Sequence, residues 1–356
     1  MMDLLTSLLR FGLFGGDNPI AVLPKPLSQE EWQELFDLSR EQAVTALLYD
    51  SLLRLPSEQH PPRSVLFHFT SMTQTIESDN RHREEALVHF ASLMSKELSV
   101  PAVVVKGTSL SRLYPVPAHR ECGDNDLYTG TDTEQINSLV ESMGIAVDRK
   151  DPRHSSFVFE EVPFECHNYL LYPSYGDSKS SSLDSSEHWN IVPMNGDGTI
   201  MRLVVEEAAF FLAKHMEHHA VFFHEPVRLR DLVDWCMLIS SKEFDYARLN
   251  VIKKETDIDV FADLLTGYCC ELFGLPVPHT VSALKDKGLV PSDFNYLFMH
   301  CPERHRLALV RVVRRSWKYL RYWRRYKALY GQSMFRRFYF KNIGIAIRNI
   351  FKFKDV

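Results

Sequence analysis

The strongest constraint on this chain is a change of hydrophobic period at Ser99. Up to Leu98 the apolar residues recur at helical spacing: Trp32, Leu35, Phe36 and Leu38 first, then Ile76, Ala86, Leu87, Phe90, Leu93 and Met94. After Ser99 comes Val100-Pro101-Ala102-Val103-Val104-Val105, a short β-branched run bounded by Lys106-Gly107. Such a run is a buried strand, and a buried strand needs partners on both edges and cover on both faces. An all-helical protein is therefore excluded. The expectation is an α+β fold, in which a small mixed β-sheet core is flanked by N-terminal and C-terminal helical regions.

Helices are predicted from Ser28, which caps a segment with Glu30 and Glu31 behind it, then over about 41–55 and 65–98. After the first strand come a helical turn over 109–113, a Pro-bearing loop over 114–118 and a second strand over 124–128. A helix over 133–143 opens at Thr133 and stops at Gly144. The segments 156–160 and 162–171 alternate as paired strands, and 174–198 reads as loop. Helices return over about 201–219, 227–240, 257–272, 281–287 and 302–330. The organisation expected is a helical region 1–98, a sheet-bearing core 99–200, a second helical region 201–300 and a basic end 301–356.

The chain has 356 residues and a net charge of −5, which hides a division. Positions 301–356 hold 16 Lys and Arg against Glu303 and Asp355, so that end carries +14 and the remainder −19. The end also interleaves aromatics, from Trp317 to Phe353. An anionic membrane surface, met through 331–354, is the first reading. Packing on the acidic body and binding of nucleic acid rank second and third. No secretion signal is read at the start, because Asp3 stands where positive charge is needed. The six cysteines, Cys122, Cys166, Cys236, Cys269, Cys270 and Cys301, lack metal-site spacing and read as reduced thiols. A cytoplasmic protein is expected, peripheral at the inner face of the membrane if its basic end binds lipid.

The chemistry-bearing stretch runs from Lys106-Gly107-Thr108-Ser109 through Arg120 to Asp124-Asn125-Asp126. Residues two apart in a strand share a face, so Asp124 and Asp126 would present two carboxylates to one point. That pair suits a hard cation such as Mg²⁺, with Mn²⁺ as an alternative. Gly107 lets a phosphate approach the backbone, and Thr108 and Ser109 can donate to its oxygens. In Val162-Pro163-Phe164-Glu165-Cys166-His167, alternation puts Glu165 and His167 on one side. Glu165 would add a third carboxylate if its strand lies beside that of Asp126. His154 and His167 are candidates to contact an acceptor or phosphate, or to make structural hydrogen bonds. The cluster His215, His218, His219 and His224 lacks the H-E-x-x-H pattern of a zinc helix. Asp231 and Asp234 read as salt-bridging helix residues.

The order Lys106-Gly107, Tyr114-Pro115-x-Pro117, Arg120, Asp124-x-Asp126 and Glu165-x-His167 resembles the uncharacterised nucleotidyltransferases of the polymerase-β-like superfamily, nucleotidyltransferase family 5. His215 and Leu229–Trp235 are similar, more loosely, to that family's helical part. The resemblance implies that Asp124, Asp126 and Glu165 ligate metal and act in catalysis. It also implies that Gly107, Thr108 and Ser109 hold nucleotide phosphates, with Lys106 and Arg120 near the triphosphate or acceptor. Residues 99–200 would then be the nucleotidyltransferase core. The activity implied is Mg²⁺-dependent transfer of a nucleoside monophosphate from an NTP to a hydroxyl or phosphate acceptor, with release of pyrophosphate. The alternative is a decayed site on a binding or scaffold protein that acts through its basic end. The chain departs from the superfamily pattern in four places: Thr108 follows Gly107, the gap from there to Asp124 is longer, Asn125 separates the aspartates, and the third acid is Glu165.

Overall fold

A computed structural model describes residues 1–15, 23, 25–150, 154–170, 189–223, 227–256, 258–276 and 278. Four helices come first: α1 (Met2–Phe14), α2 (Gln29–Glu41), α3 (Thr45–Leu53) and the long α4 (Arg63–Leu98). Ser28 accepts from the Glu31 N–H while the Glu31 carboxylate accepts from the Ser28 N–H, a reciprocal cap that starts α2 where expected. The expected helix over 41–55 is divided at its start. Ala43 adopts φ 54°, so α2 ends and α3 begins at Thr45. Ser99, at φ 58°, ends α4 and turns the chain into the sheet.

The sheet contains β1 (Ala102–Val104), β2 (Asn125–Tyr128), β3 (His154–Phe159), β4 (Val162–His167), β5 (Ile191–Pro193) and β6 (Ile200–Leu203), in the order β3-β4-β2-β1-β6-β5. β1 runs parallel to β6 and antiparallel to β2, β2 runs parallel to β4, and β3–β4 and β5–β6 are antiparallel pairs. The short helix α5 (Thr108–Ser111) follows β1, and α6 (Thr133–Ser142) follows β2. Thr133 is the first residue of α6 and does not cap it; its hydroxyl donates to the Gly130 carbonyl. Gly144, at φ 80°, stops the chain behind α6 as expected.

Two expectations change. Residues 200–203 are strand and not the first turn of a helix, and 191–193, read as loop, pair with them. The Asn195–Gly198 turn makes this hairpin: the Asp197 carboxylate accepts from Thr199 and the Asn195 side-chain oxygen accepts from the Ile200 N–H. Strands this short have no period of their own, and β6 is defined by its pairing with β1. Four more helices follow: α7 (Val205–Glu217), α8 (Leu229–Ile239), α9 (Tyr246–Glu255) and α10 (Asp259–Phe273). The weakly amphipathic α9 is not foreseen from the sequence. The predicted helices over 281–287 and 302–330, the basic end, His224 and Cys301 lie outside the described residues.

Side chains alternate across the sheet into two cores. Ala102, Val104, Leu127, Phe164 and Cys166 join Phe90 of α4 and Val140 of α6. Val103, Val105, Tyr128 and Leu203 join Phe211 of α7, Trp235 of α8, α1, α3 and α10. Five free cysteines are described, and Cys166, Cys236, Cys269 and Cys270 are buried, as expected of reduced thiols. Burial pushes the Cys166 thiol up to about 12. Among the described residues, no helix is long and apolar enough to cross a membrane.

Candidate active site

The polar site lies on the sheet face that α7 covers. It is built by register. β2 and β4 pair in parallel with Asp126 opposite Glu165 and Tyr128 opposite His167, so Asp126, Glu165 and His167 share that face. One oxygen from each acid and one His167 nitrogen lie within 4.8 Å of one another. Asp126 Oδ1 is 2.8 Å from His167 Nε2 and 2.9 Å from Lys106 Nζ. Glu165 reaches His167 at 3.7 Å and His154 at 3.9 Å. Above them, the Phe211 ring of α7 meets His167 edge-on at 5.7 Å, and the Lys106 ammonium lies 6.0 Å from the same ring.

The backbone that brings Lys106 to Asp126 requires glycine. Gly107 has φ 55° and ψ −117°, outside the region open to residues with a Cβ, and an added Cβ would stand 3.4 Å from the Asp124 carbonyl oxygen. The Val105 N–H donates to the Asp126 carbonyl at 3.0 Å, which fixes the turn against the start of β2. Ser109 is buried, and its hydroxyl donates to the Lys106 carbonyl at 3.1 Å, so it braces the turn.

Three acids in one place do not ionise alike. Burial alone would raise Asp126, but Lys106 and the hydrogen bond from His167 outweigh it and hold this carboxyl well below the usual range. Asp124, half-buried one residue before β2, is pushed up first by Asp126 and then by burial. Glu165 is pushed up by burial, then by Asp126 and Asp124. Asp126 is thus the strongest acid of the three, and Asp124 and Glu165 are the weaker ones, a division typical of acid–base sites. His215 of α7 completes the surroundings; burial first, then Lys106 and His219, hold it well below the usual imidazole range.

Arg120 is placed differently from its neighbours in the motif. Its guanidinium forks onto Asp234 of α8, with Nε to Oδ1 at 2.7 Å and Nη2 to Oδ2 at 2.6 Å, and the Tyr114 hydroxyl donates to the same carboxylate at 2.5 Å. Arg230 pairs with Asp231 and donates to the Glu121 carbonyl at 3.3 Å. The salt-bridging reading of Asp231 and Asp234 holds. Through them α8 anchors the segment 120–124 and so sets where Asp124 stands.

The group of Asp126, Glu165 and His167 could hold a metal ion through two carboxylates and one imidazole, and Lys106 supplies the countercharge at Asp126 in this structure. The sequence placed His167 beside the acids but did not make it a ligand candidate. It also missed the Lys106–Asp126 pair, which joins residues from two strands and has no local signal.

A mixed sheet with this acid and histidine cluster under a helical cover makes the chain an α+β protein with a group that could hold a metal ion. The chain belongs to nucleotidyltransferase family 5, described as uncharacterised nucleotidyltransferase, whose model matches residues 28–274. No curated protein and no solved structure matches the chain.

Proposed function

We propose that the protein transfers a nucleoside monophosphate from an NTP to a hydroxyl or phosphate acceptor and releases pyrophosphate. The observation that carries this reading is the convergence of Asp126, Glu165, His167 and Lys106 on one sheet face, in a chain of a nucleotidyltransferase family. Asp126, Glu165 and His167, with Asp124 alongside, would hold Mg²⁺ or Mn²⁺, which when bound neutralises triphosphate charge. An acceptor oxygen attacks the α-phosphorus, the bond to the bridging oxygen breaks, and pyrophosphate leaves with the electron pair. The acceptor's proton passes to whichever of Glu165 and Asp124 does not hold the cation. Gly107 and Thr108 would border the phosphates, and Lys106 would face them. His154, beside Glu165, would contact the acceptor.

Incubation with α-labelled NTPs, Mg²⁺ and a cell extract should yield a labelled product that identifies the acceptor. Asp126→Ala should lower that transfer by about a thousandfold or more with the fold intact by circular dichroism. Undiminished transfer would falsify the assignment. Calorimetry with Mg·ATP and Mg·CTP addresses the alternative of a decayed site, which should bind neither. The basic end is proposed to meet an anionic membrane. Its test is cosedimentation with phosphatidylserine vesicles, expected for the full chain and lost on removal of residues 331–356.

A further inference from the structure

Among the described residues, a second group of charges is left unbalanced beside the acid cluster. Arg112 follows α5 and Arg202 lies near the end of β6; their Nη2 atoms stand 3.4 and 3.6 Å from the same Oε2 of Glu243. One carboxylate oxygen therefore answers two guanidiniums, at the long limit of a hydrogen bond. Glu243 is 58% exposed, whereas the Arg202 and Arg112 side chains are 14% and 29% exposed. The Nε of Arg112 is buried and has no hydrogen-bond partner among the described residues. Arg202 Nη1 donates only to the adjacent Leu203 carbonyl, at 3.1 Å. Burial first, then Arg112, push Arg202 below the usual guanidinium range against the opposing effect of Glu243.

A phosphate dianion would saturate this array better than Glu243 does. It brings several acceptor oxygens and a second charge, and arginine forks are shaped to bind it bidentately. Arg202 is in register with Val104 in the parallel pair of β1 and β6, so it lies at the carboxyl end of those strands, where β1 runs on to Lys106, and by alternation on the face of Val104, opposite that of Asp126. Ligands of open sheets commonly bind outside the carboxyl ends of parallel strands.

We propose that Arg112 and Arg202 form a phosphate-binding site, closed by Glu243 until the anion displaces it. The phosphate is either the terminal group of the nucleotide or a group on a phosphorylated acceptor. Only that choice of owner rests on the nucleotidyl-transfer reading; the anion site itself does not.

The test is isothermal titration of the full chain with inorganic phosphate in EDTA, which removes any metal from the acid cluster. Arg112→Gln and Arg202→Gln should each weaken binding about tenfold or more. Glu243→Gln removes the competing charge at an exposed position and should tighten binding several-fold. The readout is phosphate binding without metal and not transfer, so failure of the metal site and failure of this proposal give different results. Displacement of phosphate by saturating ATP assigns the site to the nucleotide, and simultaneous binding assigns it to an acceptor. Unchanged affinity in folded Arg202→Gln, or no tightening in Glu243→Gln, overturns the proposal.

Discussion

Two buried ionic clusters flank the segment 120–126, and they are built on opposite plans. At Arg120 each charge is answered: two guanidinium nitrogens meet two oxygens of Asp234, and Tyr114 donates to the same carboxylate. At Asp126 the charges are left in conflict, with Lys106 and His167 on one carboxylate while Asp124 and Glu165 are pushed above the usual carboxylate range by burial and by their acidic neighbours. A saturated cluster has nothing left to offer a ligand and serves architecture. An unsaturated one has affinity for a cation and for protons, and is where chemistry is expected.

That contrast can be broken by exchanging the injuries. Asp234→Ala leaves the Arg120 guanidinium buried and unpaired, and should cost about 3–5 kcal/mol in urea unfolding. Removing Asp126 should cost activity first; it also takes the partner from Lys106 and His167, so stability falls too, by less than in Asp234→Ala because the repulsion with Asp124 and Glu165 goes with it. If Asp234→Ala unfolds like the parent but loses transfer, the two clusters have been assigned the wrong way round. Glu165→Gln is a finer cut: it keeps the shape and removes a proton acceptor, so transfer should drop about a hundredfold with the unfolding midpoint unchanged.

The smallest expected effect concerns a third cluster, which also holds the segment in place. His119 lies between Asp50 at 2.7 Å and Glu77 at 2.9 Å, so α3 and α4 both grip the turn before Arg120. The hydrogen bond to Asp50, aided by Glu77, raises its pKa against the opposing effect of burial. A raised folded-state value means that the stabilisation is complete below the unfolded value of about 6.5 and is lost as pH rises through the raised one. Unfolding free energy of the parent should therefore decline across that window, and His119→Gln should flatten the decline.

Much of the site was legible because its parts are local. Val100–Val105 announces a strand by composition, Lys106-Gly107 announces a turn that only glycine can make, and alternation puts Glu165 and His167 on one side. The hairpin β5–β6 was not legible, since three- and four-residue strands carry no period and exist by pairing with a neighbour. Arg120 illustrates the same limit. Its place in the motif pointed toward the triphosphate, and its partner Asp234 lies 114 positions away on α8.

By itself the sequence determined the α+β class, the run of elements from α2 to β4 and the residue types that meet on one face, because period and turn chemistry are written over a few neighbours. Tertiary structure decided which charges are spent and which remain. The parallel register of β2 with β4 aligned Asp126 with Glu165, and the approach of Lys106 made the three acids unequal. A pKa depends on burial and on charges a few ångströms away, and those distances are set only when strands distant in the chain pack together.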